Sequence, residues 1–332
     1  MTRIGAAATL RRMPIHPETL KRFAYIEGVP SMQAFFEDPQ YAERRAAFES
    51  WPDYQAPDVA VRAAEAPGPH GPVPVRVYGE RPGATGRPAL VWMHGGAFMM
   101  GDLDMPEADW TSRELAQRAD AVVISVDYRL CQNGVHYPVP HDDVVAAVRW
   151  VRENAADLGV DPAWISVGGA SAGANLAAGA ALKLRDEDRQ PPAHLIFAYG
   201  VAHSVIPPLS PEQAELMSHV PQVLHFPPEA HGFFNHNYLG GPLSKADGYA
   251  FPILADLRGM CPTLVLNAEY DDLRVSGEAF AAALAATGVD VRQVTVRSML
   301  HGYLNLAATV GPTGAALDLI AATIGGPVRR DA

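Results

Sequence analysis

Trp164-Ile165-Ser166-Val167-Gly168-Gly169-Ala170-Ser171-Ala172-Gly173-Ala174 decides how this chain folds. Its first five residues are an apolar run of strand length, and an alanine-rich run of helical character extends from Ala174 to Leu184. Between them sits Gly-x-Ser-x-Gly. Strand, tight turn and helix in that order are the context of a nucleophile elbow, in which a strained backbone lifts a serine hydroxyl above the sheet. Gly169 and Gly173 keep the flanking positions clear of side chains, and Ser171 Oγ is left open to a base and a substrate. The pentapeptide alone is common; its place between a strand and a helix gives it weight.

Three other segments fit the same chemistry. Upstream, the apolar run Leu90-Val91-Trp92-Met93 ends in His94-Gly95-Gly96-Ala97-Phe98. A glycine-rich loop at the carboxyl end of a strand aims backbone N–H groups into a cleft, where developing negative charge needs fixed donors. Gly95 and Gly96, with Ala172 beside the nucleophile, are the expected oxyanion donors. Downstream, Cys261-Pro262-Thr263-Leu264-Val265-Leu266-Asn267 reads as a buried strand followed by Ala268-Glu269-Tyr270-Asp271-Asp272. Acids at the carboxyl end of a sheet strand lie where open α/β folds bind ligands. Asp271 is expected to orient the base, with Asp272 and Glu269 as rivals. Asp272 is expected to cap the helix that begins near Leu273. Last, Val291 to Val296 alternates as a strand and leads to Met299-Leu300-His301-Gly302-Tyr303. The chain has 12 histidines, and His301 stands out by its order: Ser171, Asp271, His301 is the triad order of α/β-hydrolases, unlike that of other serine hydrolase folds.

Taken together, these pieces resemble the hormone-sensitive-lipase-like branch of the α/β-hydrolases, bacterial esterases with a His-Gly-Gly loop. The resemblance runs from about Pro72 to the end of the chain. It rests on His94 to Phe98, Asp127-Tyr128-Arg129-Leu130, Tyr137-Pro138 with Asp142-Asp143, Gly169 to Leu176, Glu269 to Arg274, and His301-Gly302-Tyr303. It implies an eight-stranded, mostly parallel sheet with helices on both faces, a helical cap over the site, and hydrolysis of carboxylic esters of short to medium acyl chain. It implies Ser171, Asp271 and His301 as the triad, Gly95, Gly96 and Ala172 as oxyanion donors, and a homodimer as the family-level expectation. Three places in the chain depart from the family pattern. Ala97 stands where a third glycine is usual, Ala170 where Asp or Thr precedes the nucleophile, and Cys131-Gln132-Asn133 where Ala-Pro-Glu follows Asp127 to Leu130.

Composition agrees with an ordinary soluble enzyme. A chain of 332 residues, 48% of them hydrophobic, can bury one large α/β core. A net charge of −11 lacks the basic stripes that nucleic acid requires. Cys131 and Cys261 do not make a disulfide framework and read as free buried thiols. No apolar run is long enough to span a membrane. The opening Met1 to Ala8 is too short for a signal-peptide core, which makes the expected location cytoplasmic.

Helical patterns at Pro17 to Phe23 and Ala42 to Ser50 place residues 1–60 in the first part of the cap, and 61–332 form the catalytic domain. Pro57 to Pro74 reads as the entry to the sheet, and alternating strand–helix units follow to Tyr199. Residues 200–250 break that rhythm with seven prolines and with His203, His219, His225, His231 and His236. They read as an irregular insertion forming the second part of the cap. The spacing of these histidines does not match zinc ligation, so cap packing or substrate contact is expected, with no metal or cofactor. Phe98, Met99 and Tyr303 are candidates for lining the substrate pocket. An amide or lactone hydrolase, or a metabolite deacetylase, would use the same residues. A non-catalytic small-molecule-binding protein of this fold would usually lack a triad member.

Overall fold

The computed structural model describes residues 14–326; the opening stretch from Met1 to Ala8 lies outside them. Eight strands form one sheet: β1 (Val61–Ala66), β2 (Val73–Tyr78), β3 (Arg87–Met93), β4 (Val122–Val126), β5 (Val160–Ala170), β6 (Leu195–Ala198), β7 (Thr263–Tyr270) and β8 (Val291–Leu300). Their order across the sheet is β1-β2-β4-β3-β5-β6-β7-β8. The β1–β2 and β2–β4 pairs are antiparallel, and every pair from β4–β3 to β7–β8 is parallel. The helices are α1 (Pro17–Ile26), α2 (Met32–Glu37), α3 (Ala42–Glu49), α4 (Asp109–Arg118), α5 (Val139–Glu153), α6 (Ala172–Glu187), α7 (Pro211–Met217), α8 (Pro228–Leu239), α9 (Arg274–Ala286) and α10 (Gly311–Gly325).

The central strands read as unbroken apolar runs because both faces of the sheet are covered. β3, β4, β6 and β7 are buried along their whole length. Helices α5, α6 and α9 cover one face around Val91, Val167 and Val265. Helices α4 and α10 cover the other around Trp92, Leu266 and Tyr199. α6 is buried on nearly every side, as a helix in the middle of a core must be. Its alanines and glycines let it lie close to β3 and β5. The strand order turns back on either side of β3, and the crevice at the carboxyl ends there is where such sheets bind ligands.

Two parts of the sequence reading change. Strand β1 lies inside the stretch Pro57 to Pro74, read only as the entry to the sheet; its weak pattern reflects an edge strand that is mostly exposed. The insertion at 200–250 is less irregular than its prolines suggest, since α7 and α8 both begin on Pro at a first helical position, where the missing N–H costs nothing.

The N-terminal segment and the insertion pack on each other. Ile26 and Phe35 are buried with Val223 and Leu224 packed against them. Ile15 joins Leu216, Met217 and Val220 over Tyr270 and Leu300, the last residues of β7 and β8. The His16 N–H donates to Ser298 O at 2.9 Å, tying this layer to the end of β8.

Gly173 marks where α6 meets β3. A Cβ added there would fall 2.3 Å from Met93 O and 2.4 Å from His94 O, both rigid main-chain atoms. Gly173→Ala is therefore expected to cost about 1–3 kcal/mol, the usual range for overpacking, measured by urea unfolding. An unchanged midpoint would refute this steric reading.

Candidate active site

Ser171 joins β5 to α6 with φ 53° and ψ −118°, a conformation that costs a non-glycine residue about 1–3 kcal/mol and survives only where neighbours enforce it. Here its N–H donates to Ala198 O at 2.9 Å and its C=O accepts from the Ala174 N–H at 3.1 Å. The end of β6 and the first turn of α6 thus clamp it from both sides.

The hydroxyl so presented meets the histidine expected from chain order. His301 Nε2 is 2.9 Å from Ser171 Oγ, and His301 Nδ1 is 2.9 Å from Asp271 Oδ2. Asp271 is buried, and its other oxygen accepts the Leu273 N–H at 2.9 Å. The structure thus brings Ser171, His301 and Asp271 into one hydrogen-bonded chain within the reach that nucleophile activation requires. Burial by itself disfavours the His301 imidazolium. The charge and hydrogen bond of Asp271, with Glu107 and Asp272 beyond, outweigh it and raise the His301 pKa above its ordinary value. The rings of Phe226 and Tyr199 pack edgewise on the imidazole at 4.8 and 5.0 Å.

The glycine loop departs from expectation in one respect. The Gly95 N–H donates to Glu107 Oε1 at 2.6 Å, so Gly95 is corrected from oxyanion donor to an anchored position. Beyond it, Gly96, Ala97 and Phe98 have φ of 115°, 51° and 65°. That left-handed curl follows the close return of the chain on itself, where the N–H groups of Met99 and Met100 both donate to Gly96 O at 2.9 Å. Among the described residues none accepts a hydrogen bond from the N–H of Gly96, Ala97 or Ala172. Ala172 is the first residue of α6, whose N-terminus also favours negative charge.

Two of the three residues expected to line a pocket are packed in the core instead. Phe98 stacks face to face on Tyr238 at 3.9 Å. Tyr303 is buried edge-on to Tyr199 at 4.8 Å. Met99 is half-buried, and its carbonyl accepts from Gln132 Nε2 at 2.5 Å. Asp272 is not the cap of α9. The cap position is Leu273, and Asp272 Oδ2 instead accepts the Phe226 N–H at 2.7 Å, holding the ring that covers His301. Glu269 accepts from Arg297 Nη1 and from the Ser298 N–H, both at 2.7 Å, pinning the end of β8 that leads to His301.

The departures from the family pattern find local accounts. Cys131 N–H donates to Phe98 O at 2.7 Å, so Cys131 and Gln132 brace the curled loop. Ala170 is fully buried in the apolar cluster with Tyr199 and Tyr303. Glu107 was not legible beforehand: it sits in Asp102 to Asp109, a stretch with four acids, and nothing in the sequence sets it apart.

Comparison with known proteins places the fold in a family. A family model for the α/β hydrolase fold matches residues 90–305. Carboxylesterase NlhH of Mycobacterium tuberculosis is 36% identical over 243 residues, covering 72% of this chain and 73% of its own. Esterase LipI of the same organism is 34% identical and covers 78% of each chain. Among solved structures, the hyperthermophilic esterase of Pyrobaculum calidifontis superimposes with a TM-score of 0.78 at 30% identity, covering 94% of this chain and 98% of that one. The chain belongs to the α/β-hydrolase fold family. Within it, the chain falls in the hormone-sensitive-lipase-like branch.

The raised His301 pKa has a direct test. NMR titration of the imidazole is expected to give a value above about 6.5, the unperturbed one. Asp271→Asn removes the charge that favours the imidazolium, so the value should fall. A His301 pKa unchanged by that substitution would contradict the electrostatic account.

Proposed function

We propose that this protein is a serine carboxylesterase working by two-step acyl transfer, with Ser171 as nucleophile, His301 as general base and acid, and Asp271 as the group that orients His301. The observation that carries this reading is the unbroken chain of 2.9 Å contacts from Ser171 Oγ through His301 to Asp271. His301 Nε2 takes the serine proton as Oγ attacks the ester carbonyl, and Asp271 stabilises the imidazolium that forms. The oxyanion is held by the N–H groups of Gly96, Ala97 and Ala172, which have no protein acceptor among the described residues. His301 then protonates the departing alcohol. A water activated by the same imidazole attacks the acyl-enzyme, and the cycle closes with the serine protonated and the acid released. The relatives named carboxylesterase and esterase support the choice of ester.

The N-terminal segment and residues 200–250 form the cap in this reading. Phe226 and His231 come from the insertion, and Phe226 touches His301 directly. A cover of this kind limits the acyl chain to short or medium length. A cytoplasmic location belongs to the same proposal, supported by two free buried thiols. Among the described residues no helix is long and apolar enough to cross a membrane.

A second reading, amide hydrolysis or deacetylation on the same residues, has one specific support. Bovine arylacetamide deacetylase is 30% identical over 70% of this chain. Matched ester and anilide substrates separate the two.

Turnover of p-nitrophenyl acetate, butyrate and octanoate should fall at the longest chain. Ser171→Ala should lose about 10⁴-fold or more in kcat while keeping its unfolding midpoint. Full activity in that variant would overturn the assignment. Asp271→Asn should lower kcat by about 10⁴-fold and move the acid limb of the pH profile downward, because the neutral base then persists to lower pH.

A further inference from the structure

One buried carboxylate takes no part in the chain from Ser171 to Asp271. Glu107 precedes α4 and is 2% exposed. Its Oε1 accepts the Gly95 N–H at 2.6 Å. Its Oε2 accepts the Tyr199 hydroxyl at 2.6 Å and Asn305 Nδ2 at 3.2 Å. The backbone on either side is tied as well: the Glu107 N–H donates to Asn305 Oδ1 at 3.2 Å, and the Glu107 carbonyl accepts Trp92 Nε1 at 2.9 Å. Every side-chain partner is a donor. A carboxylate, which accepts only, satisfies all three; an amide would turn two N–H groups toward other donors. A buried acid is costly to keep, so such complete satisfaction marks a built site.

The three partners come from three separate segments of the active site. Gly95 opens the loop that bears Gly96 and Ala97. Tyr199 follows β6 with φ 35°, a strained value for a non-glycine residue, and its ring lies edge-on to His301 at 5.0 Å. Asn305 lies four residues beyond His301, and its Nδ2 also donates to Gly302 O at 3.2 Å.

Resting on the acyl-transfer reading above, we propose that Glu107 is a positioning residue that locks the oxyanion loop to the histidine loop. The bond from the Gly95 N–H fixes the His94–Gly95 peptide plane at the entry to the loop and so restrains the path along which the N–H groups of Gly96 and Ala97 follow. The bonds from Tyr199 and Asn305 fix the floor and the far end of the His301 turn. Donors and base then hold one register relative to Ser171 Oγ. Glu107 also acts on the base through its charge. The charged or titratable groups influencing or facing His301 are Asp271, Asp272 and Glu107, with His231 from α8 and Tyr199 from beneath.

The test compares Glu107→Gln and Tyr199→Phe with the wild-type chain on p-nitrophenyl butyrate, with unfolding midpoints measured alongside. A p-nitrophenyl phosphonate, which attaches to the nucleophile and places a charged oxygen among the oxyanion donors, serves as second probe. Glu107→Gln is expected to lower kcat by about 10–100-fold, the scale of a small misplacement of reacting groups, with KM changed less than about twofold. Its acid limb should move to lower pH, and phosphonylation of Ser171 should slow in proportion to kcat. Tyr199→Phe keeps the Gly95 bond and should lose about threefold to tenfold in kcat. A folded Glu107→Gln enzyme with wild-type kcat and acid limb would overturn the proposal, as would a loss confined to KM. If Glu107→Gln does not fold, wild-type kcat and acid limb in Tyr199→Phe would overturn it equally. Absence of Ser171 labelling in the wild-type chain would overturn the acyl-transfer reading and this proposal with it. Labelled wild type with unaltered variants would overturn this proposal alone.

Discussion

The strained backbone of Ser171 is the constraint on which the rest of this structure depends. A serine at φ 53° relaxes unless its surroundings forbid it, and the architecture supplies that prohibition. The Ser171 N–H is bonded to the end of β6, its carbonyl to α6, and Gly173 allows α6 to press against the carbonyls that end β3. A helix rich in alanine serves this purpose where leucines would not, because only small side chains let it lie so near two strands. The sheet is thus the frame that stores the strain, and the serine hydroxyl is the part it exposes.

Around that hydroxyl the second organising force is electrostatic. Three carboxylates, Asp271, Asp272 and Glu107, bear on one imidazole and outweigh the penalty of burying it. Each is also held in place by donors: Asp271 by the Leu273 N–H, Asp272 by the Phe226 N–H, Glu107 by Gly95, Tyr199 and Asn305. Charge and position are therefore supplied by the same bonds. Asp272 extends this to the insertion, since the residue it holds covers the imidazole. His231 on α8 has the opposite balance. Burial lowers its pKa to about 4 despite the nearby charge of Asp271, so it faces the site as a neutral ring.

The positions that depart from the family pattern are accommodated by packing and by backbone bonds. Ala97 takes a left-handed conformation that a glycine would adopt more readily, within a loop braced by Cys131 and Gln132. The loop keeps its curl because the carbonyls of Gly96, Phe98 and Met99 each accept a hydrogen bond.

Strand–turn–helix around Ser171, the acid after one buried strand and the histidine after the last were legible because each depends on local pattern and chain order. Apolar run length marks a strand covered on both faces, and Gly-x-Ser-x-Gly marks the turn. The edge strand β1 escaped notice since exposure removes the apolar signal, and α7 and α8 were obscured by prolines that begin helices as readily as they break them. Phe98 and Tyr303 looked like pocket residues because an aromatic side chain gives no sign of which way it faces. The sequence by itself determined the central strands of the sheet and the elbow, singled out Ser171 and His301, and narrowed the acid to Glu269, Asp271 and Asp272. Only the tertiary structure decided which backbone N–H groups remain open, that Asp271 bonds His301 while Asp272 holds Phe226, and that Glu107 joins the two loops. Those depend on contacts between residues from 12 to 198 positions apart in the chain, and no local pattern records such distances.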